Sequence, residues 1–205
     1  MAKNAAKNAN GHKLSLGSRF NIDFVVAFIL VVLTVLARFL PHPPNFSPVL
    51  GLAFFSGSVF SHRRIGFFLP LVALLVSDLF LGYYEGMAFV YAAYILATGL
   101  GKFLTTHSGV GLGLHRILPL GHLAGVGAVL SALAFFILSN FGVWLYSGLY
   151  EKSASGLVDC FVMALPFFPN TLISTVLTVA LLLGVYARIV PHVLSHRVGV
   201  KVEGT

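Results

Sequence analysis

Residues Arg38–Val49 read RFLPHPPNFSPV. They close an apolar run that begins at Ile22. Pro41, Pro43, Pro44 and Pro48 lack an amide proton and disfavour helix in the residue before each of them. The run Ile22–Leu40 has the length and apolarity of a membrane-crossing helix, which needs about 20 such residues. The quoted stretch therefore marks where a first transmembrane helix stops and the chain turns, extended, toward a second. Irregular backbone at membrane depth survives only where protein buries it or water bathes it. Arg38, His42 and Asn45 are set into such a segment, which makes them the first candidate binding residues.

The composition agrees with a membrane domain. Of 205 residues, 58% are hydrophobic and only 9% are charged, where a soluble domain carries about 25% charged residues. The net charge of +7 does not point to nucleic acid, because the basic residues sit at segment ends rather than in a patch or stripe. A single cysteine, Cys160, excludes an internal disulfide and a cysteine-based zinc site. The run Ile22–Leu40 is too long for a signal-peptide core and has no small-residue cleavage site after it.

Apolar runs predict six spans: Ile22–Leu40, Phe46–Phe60, Gly66–Tyr84, Met87–Leu104, Ile117–Leu145 and Asn170–Val190. The second is short. Leu157–Phe168, cut by Pro166 and followed by Pro169, reads as an outer amphipathic or re-entrant piece. Lys3, Lys7, Lys13, Arg19, Arg63, Arg64, Lys102, Arg116, Arg188, Arg197 and Lys201 then fall on one side, eleven of the thirteen basic residues. Only Arg38 and Lys152 fall on the other. The positive-inside rule places both termini in the cytoplasm. The expected organisation is a basic cytoplasmic tail over residues 1–21, a six-helix transmembrane domain over 22–190 and a cytoplasmic tail over 191–205. The fold class is all-α and polytopic, and the expected location is a membrane with both termini on its cytoplasmic side.

Polar residues within the spans gather at their outer ends: Arg38, Asp78 in VSDLFLGYYEG, and Asn140 and Trp144 in SNFGVWLY. Ionisable residues inside spans are rare and tend to face the bundle interior. Arg38 can snorkel to the headgroups, whereas Asp78, with its short side chain, cannot do so easily. An Arg38–Asp78 ion pair that fixes helix packing competes with a ligand-contacting role. PHPPN at Pro41–Asn45 is echoed by PFFPN at Pro166–Asn170, and both asparagines stand where a helix N-cap is expected. The two helix N-termini would then turn their positive ends toward one outer cavity. In the fifth span, Gly121-x-x-x-Gly125 and Ala124, Ala128 and Ala132 form small-residue strips. Together with Ala53-x-x-x-Gly57 and TGLGK (98–102), these read as internal packing. No nucleophile stands beside a base, and no HExxH or phosphate-binding glycine loop is present. The expectation is a protein that is not an enzyme and has no cofactor or metal site.

The runs RFLPHPPNFSPVLGLAFFSGSVF, FFLPLVALLVSDLFLGYYEG, SNFGVWL and GLVDCFVMALPFFPNTL resemble a group of small bacterial six-span proteins of unknown function. That group is similar to the substrate-binding S components of energy-coupling-factor vitamin transporters. The resemblance covers most of residues 35–185. It implies a bacterial inner-membrane location and an S-component-like bundle with an outward-facing pocket, in which the proline-rich turn is a pocket-forming or lid loop. Residues Asp78 to Glu85, including Tyr84, and Asn140 to Trp144 would line that pocket. Such proteins dock on a transmembrane partner driven by ATPases, through an Ala-x-x-x-Ala surface in many members. The first span here, FVVAFILVVLTVLARFL, has none.

The functional expectation is a membrane-embedded subunit that binds a small nutrient, a vitamin-like solute or a metal ion. Arg38, His42, Asn45, Asp78, Tyr84, Glu85, Asn140, Trp144 and Asn170 are its candidate contacts. Its partners would be the lipid bilayer, a small-molecule ligand and an energising module or other membrane subunits, with no nucleic acid. The alternative is a structural accessory subunit of a larger membrane complex.

Overall fold

A computed structural model describes residues 24–60, 62–107 and 117–198. The basic tail 1–21, Asp23, His115, Arg116, Lys201 and Glu203 lie outside the described residues, and with them much of the expected charge bias. The described chain is all-helical. Its elements are α1 (Phe24–Phe39), α2 (Val49–Val59), α3 (Arg63–Leu81), α4 (Met87–His107), α5 (Ile117–Tyr146) and α6 (Ala154–Ala164). A 3-10 turn (Leu165–Phe167) then leads into α7 (Phe168–Val198).

Four stretches are long and apolar enough to cross a membrane: Arg64–Leu81, Met87–His107, Gly121–Tyr146 and the α6–α7 run Ala154–Arg188. α1 and α2 are shorter apolar helices. The exposed face of α1 is made of Phe24, Val25, Phe28, Ile29, Val32, Leu33 and Leu36, a surface that suits lipid better than water.

α2 is the hub. It is only 11 residues long, and every one of them is buried. A helix apolar all round is stable only when covered on all sides, and α3, α4, α5 and α7 supply that cover. Leu52, Phe55 and Val59 meet Ala27 of α1 and Leu69 and Ala73 of α3. Val49, Leu50 and Ala53 meet Leu74, Tyr94, Ala97 and Ala132. Phe54 meets Ala124, Ala128 and Val179. The helix begins at Val49 rather than Phe46, because Pro48 is its N-cap and residues 46–48 stay outside the helix.

Two details explain how α2 fits. A Cβ on Gly57 would stand 1.9 Å from the Thr98 carbonyl oxygen of α4, and one on Gly101 would stand 2.2 Å from the Phe54 carbonyl oxygen. The glycines let the two backbones touch. The second detail is Ser56. Pro70 sits inside α3 and has no N–H to give to the carbonyl four residues earlier, which is that of Gly66. The Ser56 hydroxyl donates to that oxygen at 2.8 Å. It also reaches Ala53 O at 2.9 Å.

The small-residue strips of α5 divide. Ala124, Ala128 and Ala132 are buried, whereas Gly121 and Gly125 are exposed with nothing near the position of a Cβ. The expectation of internal packing holds for the alanines and is corrected for these two glycines. They lie about 100° round the helix from the buried strip.

Candidate functional site

α1 ends at Phe39, and the chain runs through Leu40–Pro48 without regular structure before α2 begins. Asn45 takes a left-handed conformation, φ 62°, which asparagine tolerates better than most residues. This strap crosses to the start of α7. Asn170 Nδ2 donates to Pro44 O at 3.0 Å, and Thr171 Oγ1 lies 3.4 Å from Asn45 O. The two Pro-x-x-Pro-Asn segments are thus in direct contact, through side chains that reach backbone 126 residues away in sequence. Neither asparagine is an N-cap, which corrects that expectation. Asn45 precedes the N-cap Pro48, Ser47 Oγ accepts from Val49 N–H at 3.4 Å, and Asn170 is already inside α7.

Beneath the strap lies a cavity of about 360 Å³. Arg38, His42, Asn45 and Ser47 line it from the α1–α2 side. Leu50 and Thr171 reach it from the first turns of α2 and α7. Leu74, Leu81 and Tyr84 come from α3 and the turn after it, and Val90, Tyr94 and Phe135 from α4 and α5. The volume falls at the small end of ligand pockets, which run from about 300 to 1,000 Å³.

The charged centre is an ion pair. Arg38 Nη2 lies 2.9 Å from Asp78 Oδ1, with side chains 16% and 2% exposed. The approach is close but off the hydrogen-bond axis, so Oδ1 makes no directed hydrogen bond. Arg38 Nη1 is buried with no hydrogen-bond partner among the described residues. Asp78 Oδ2 accepts from Tyr91 Oη at 3.1 Å. Tyr94 and Ser47 both line the cavity. Tyr84 stands in the turn beyond the end of α3. Burial, reinforced by the Asp78 carboxylate and partly offset by Arg38, pushes its phenol up to about 12. It is therefore a neutral donor at any physiological pH.

Four of the nine candidate contacts, Arg38, His42, Asn45 and Tyr84, line the cavity. Asp78 and Asn170 stand behind it, one pairing with Arg38 and the other holding the strap. The remaining three lie elsewhere. Glu85 is exposed in the turn between Gly82 (φ 92°) and Gly86 (φ 77°). Asn140 Nδ2 donates to Phe136 O of its own helix. Trp144 Nε1 donates to Glu151 O at 2.9 Å, Lys152 bonds the Trp144 carbonyl, and the Lys152 ammonium stands 5.6 Å from the indole centroid. Trp144 thus clasps the loop between α5 and α6. Cys160 is buried with its thiol 3.4 Å from Asn140 O.

Ser47, Tyr91, Tyr94 and Thr171 are additions that sequence reasoning missed. The available signal was a pair of tyrosines three residues apart well inside a predicted span, where an aromatic belt at the interface does not place them.

No curated protein and no solved structure matches the chain. Residues 18–196 match one family over most of the sequence, and the protein belongs to that family, DUF6580, a family of unknown function.

Proposed function

We propose that the protein is a membrane-embedded binding subunit for uptake of a small nutrient, with the cavity under the Pro41–Pro48 strap as its pocket. The observation that carries this reading is a 360 Å³ space lined by Arg38, His42, Asn45 and Tyr84 at the end of an otherwise apolar bundle. Polar groups converging on one well-formed pocket are the usual mark of a small-molecule site. Six crossings fit if the short α2 is completed by the extended strap, since that backbone is covered by protein and bonded to α7. The positive-inside rule then turns the pocket outward and keeps both termini in the cytoplasm. An S-component-like role, with uptake driven by a separate energising module, is consistent with this arrangement. The subunit needs no chemistry of its own.

Native mass spectrometry of the gently solubilised chain tests the proposal. A reproducible small-molecule adduct is expected, and it should be lost in a Val90→Trp variant that fills the pocket. Adduct-free protein, or an adduct that survives Val90→Trp, would overturn it.

The accessory-subunit alternative draws on one observation, the exposed Gly121/Gly125 strip of α5, which would let another helix approach closely. Stoichiometric protein partners that depend on Gly125, with no small adduct, would favour it.

A further inference from the structure

The charge of the ligand can be taken further, resting on the proposed pocket. In sequence the clues conflict: Arg38 and two helix N-termini favour an anion, while Asp78 and Glu85 favour a cation. The structure separates them. Asp78 is 2% exposed, faces Arg38 at 2.9 Å and accepts from Tyr91. Glu85 is exposed and away from the cavity. No carboxylate is among the described residues that line the pocket.

The donors are differently placed. Arg38 lines the cavity and is the permanently charged side chain of its described lining. An acceptor placed against that guanidinium gains a charge-assisted hydrogen bond. Asn45, Ser47, Tyr84 and Thr171 bring further side chains able to donate hydrogen bonds to the same cavity. Leu50, Leu74, Val90 and Phe135 supply an apolar wall.

We infer that the pocket takes a small monocarboxylate, its carboxylate on the Arg38 guanidinium and an apolar or aromatic body against Leu50, Leu74, Val90 and Phe135. The charge is single because Arg38 is the one permanently charged side chain of the described lining, and a second negative charge would be held by partial charges alone. An amine or a metal ion would meet a guanidinium and no carboxylate.

The test is equilibrium dialysis of the full chain in lipid nanodiscs, with empty nanodiscs as the partition control. The probes are benzoate and 2-naphthoate, the neutral benzamide, the cationic benzylamine and the dianionic phenyl phosphate. Benzoate is expected to bind about tenfold more tightly than benzamide, the worth of one charge-assisted hydrogen bond, and 2-naphthoate at least as well. The advantage of benzoate should vanish in the Arg38→Gln/Asp78→Asn double variant, which removes both charges together. Preference for benzylamine or phenyl phosphate, or an unchanged benzoate advantage in the double variant, would overturn the ligand class and leave the pocket standing. If every probe bound the wild type no better than Val90→Trp, the pocket itself would fall.

Discussion

Arg38→Gln and Asp78→Asn remove the two halves of one ion pair, yet the structure makes their costs unequal. Asp78 is 2% exposed and Arg38 is 16% exposed and lines the cavity. Losing Arg38 strands a carboxylate in the packed interior with only the Tyr91 hydroxyl for company. Removing one partner of a buried pair typically costs about 3–5 kcal/mol, and Arg38→Gln should fall in that range. Losing Asp78 leaves a guanidinium that can turn into a polar cavity, and the new carboxamide oxygen can still accept from Tyr91. That loss should cost about 1–2 kcal/mol, close to one hydrogen bond to a charged group. Replacing both should cost less than Arg38→Gln alone, within about 1 kcal/mol of wild type, because neither uncompensated charge remains. The coupling in the cycle is then about 3 kcal/mol or more, at the upper end for contacting residues. Sodium dodecyl sulfate titration in mixed micelles, followed by circular dichroism, gives the four unfolding free energies. Equal costs for the two single changes would show that Arg38 is as enclosed as Asp78. A double variant as unstable as the sum of the singles would show that the two groups do not interact.

Ser56→Ala should destabilise by about 1–3 kcal/mol, because the Gly66 carbonyl loses its donor; Pro70→Ala in the same chain should recover part of it by restoring the helical N–H. A loss that Pro70→Ala leaves untouched in the same titration would assign the effect to packing of Ser56 alone. Gly57→Ala puts a Cβ 1.9 Å from the Thr98 carbonyl oxygen, and since neither backbone can yield cheaply the change should cost at least about 1–3 kcal/mol, the range for an overpacked core, read as a lower unfolding midpoint. Asn170→Ala removes the hydrogen bond to Pro44 O; limited proteolysis between residues 40 and 48 should speed up while the helical content stays constant, and an unchanged cleavage rate would show that the strap is held by other contacts. Trp144→Phe breaks the link to Glu151 O and should quicken cleavage at 147–153 without changing benzoate binding; a loss of binding would bring Trp144 back to the pocket.

Much of the architecture was readable because lipid leaves the chain few choices. Apolar runs of sufficient length predict helices over the regions now seen as α1, α3, α4, α5 and α7, and the proline-cut stretch 157–168 falls on α6 and the 3-10 turn after it. Boundaries were less legible: α7 continues to Val198, past the expected end at Val190. The Arg38–Asp78 pairing was legible as one of two alternatives, since few ionisable groups were present at that level. What sequence could not give was direction around each helix. Glu85 is only one residue beyond Tyr84, but the turn bounded by Gly82 and Gly86 leaves it exposed while Tyr84 faces the cavity. Asn140 and Trp144 lie about one and a half and two and a half turns beyond Phe135, and only Phe135 lines the cavity. The tyrosines of α4 were overlooked for the converse reason: a phenol reads as a membrane-interface residue until a partner such as Asp78 is seen beside it, or a cavity in front of it.

The length of α2 connects the strap to the cavity. Eleven residues of helix rise about 16 Å, against about 30 Å for a hydrocarbon core. Had residues 40–48 continued as helix, their side chains would occupy the space that Arg38, Tyr84, Tyr94 and Thr171 now surround. Pro41, Pro43, Pro44 and Pro48 prevent that, and backbone groups are left with no helical partners. Two of those groups, the Pro44 and Asn45 carbonyls, are met by Asn170 and Thr171. Prolines are efficient in this position because each removes a donor that would otherwise need an acceptor as well. The same residues that end the helix thereby lower the demand for hydrogen bonds in the strap and keep a volume open above Leu50.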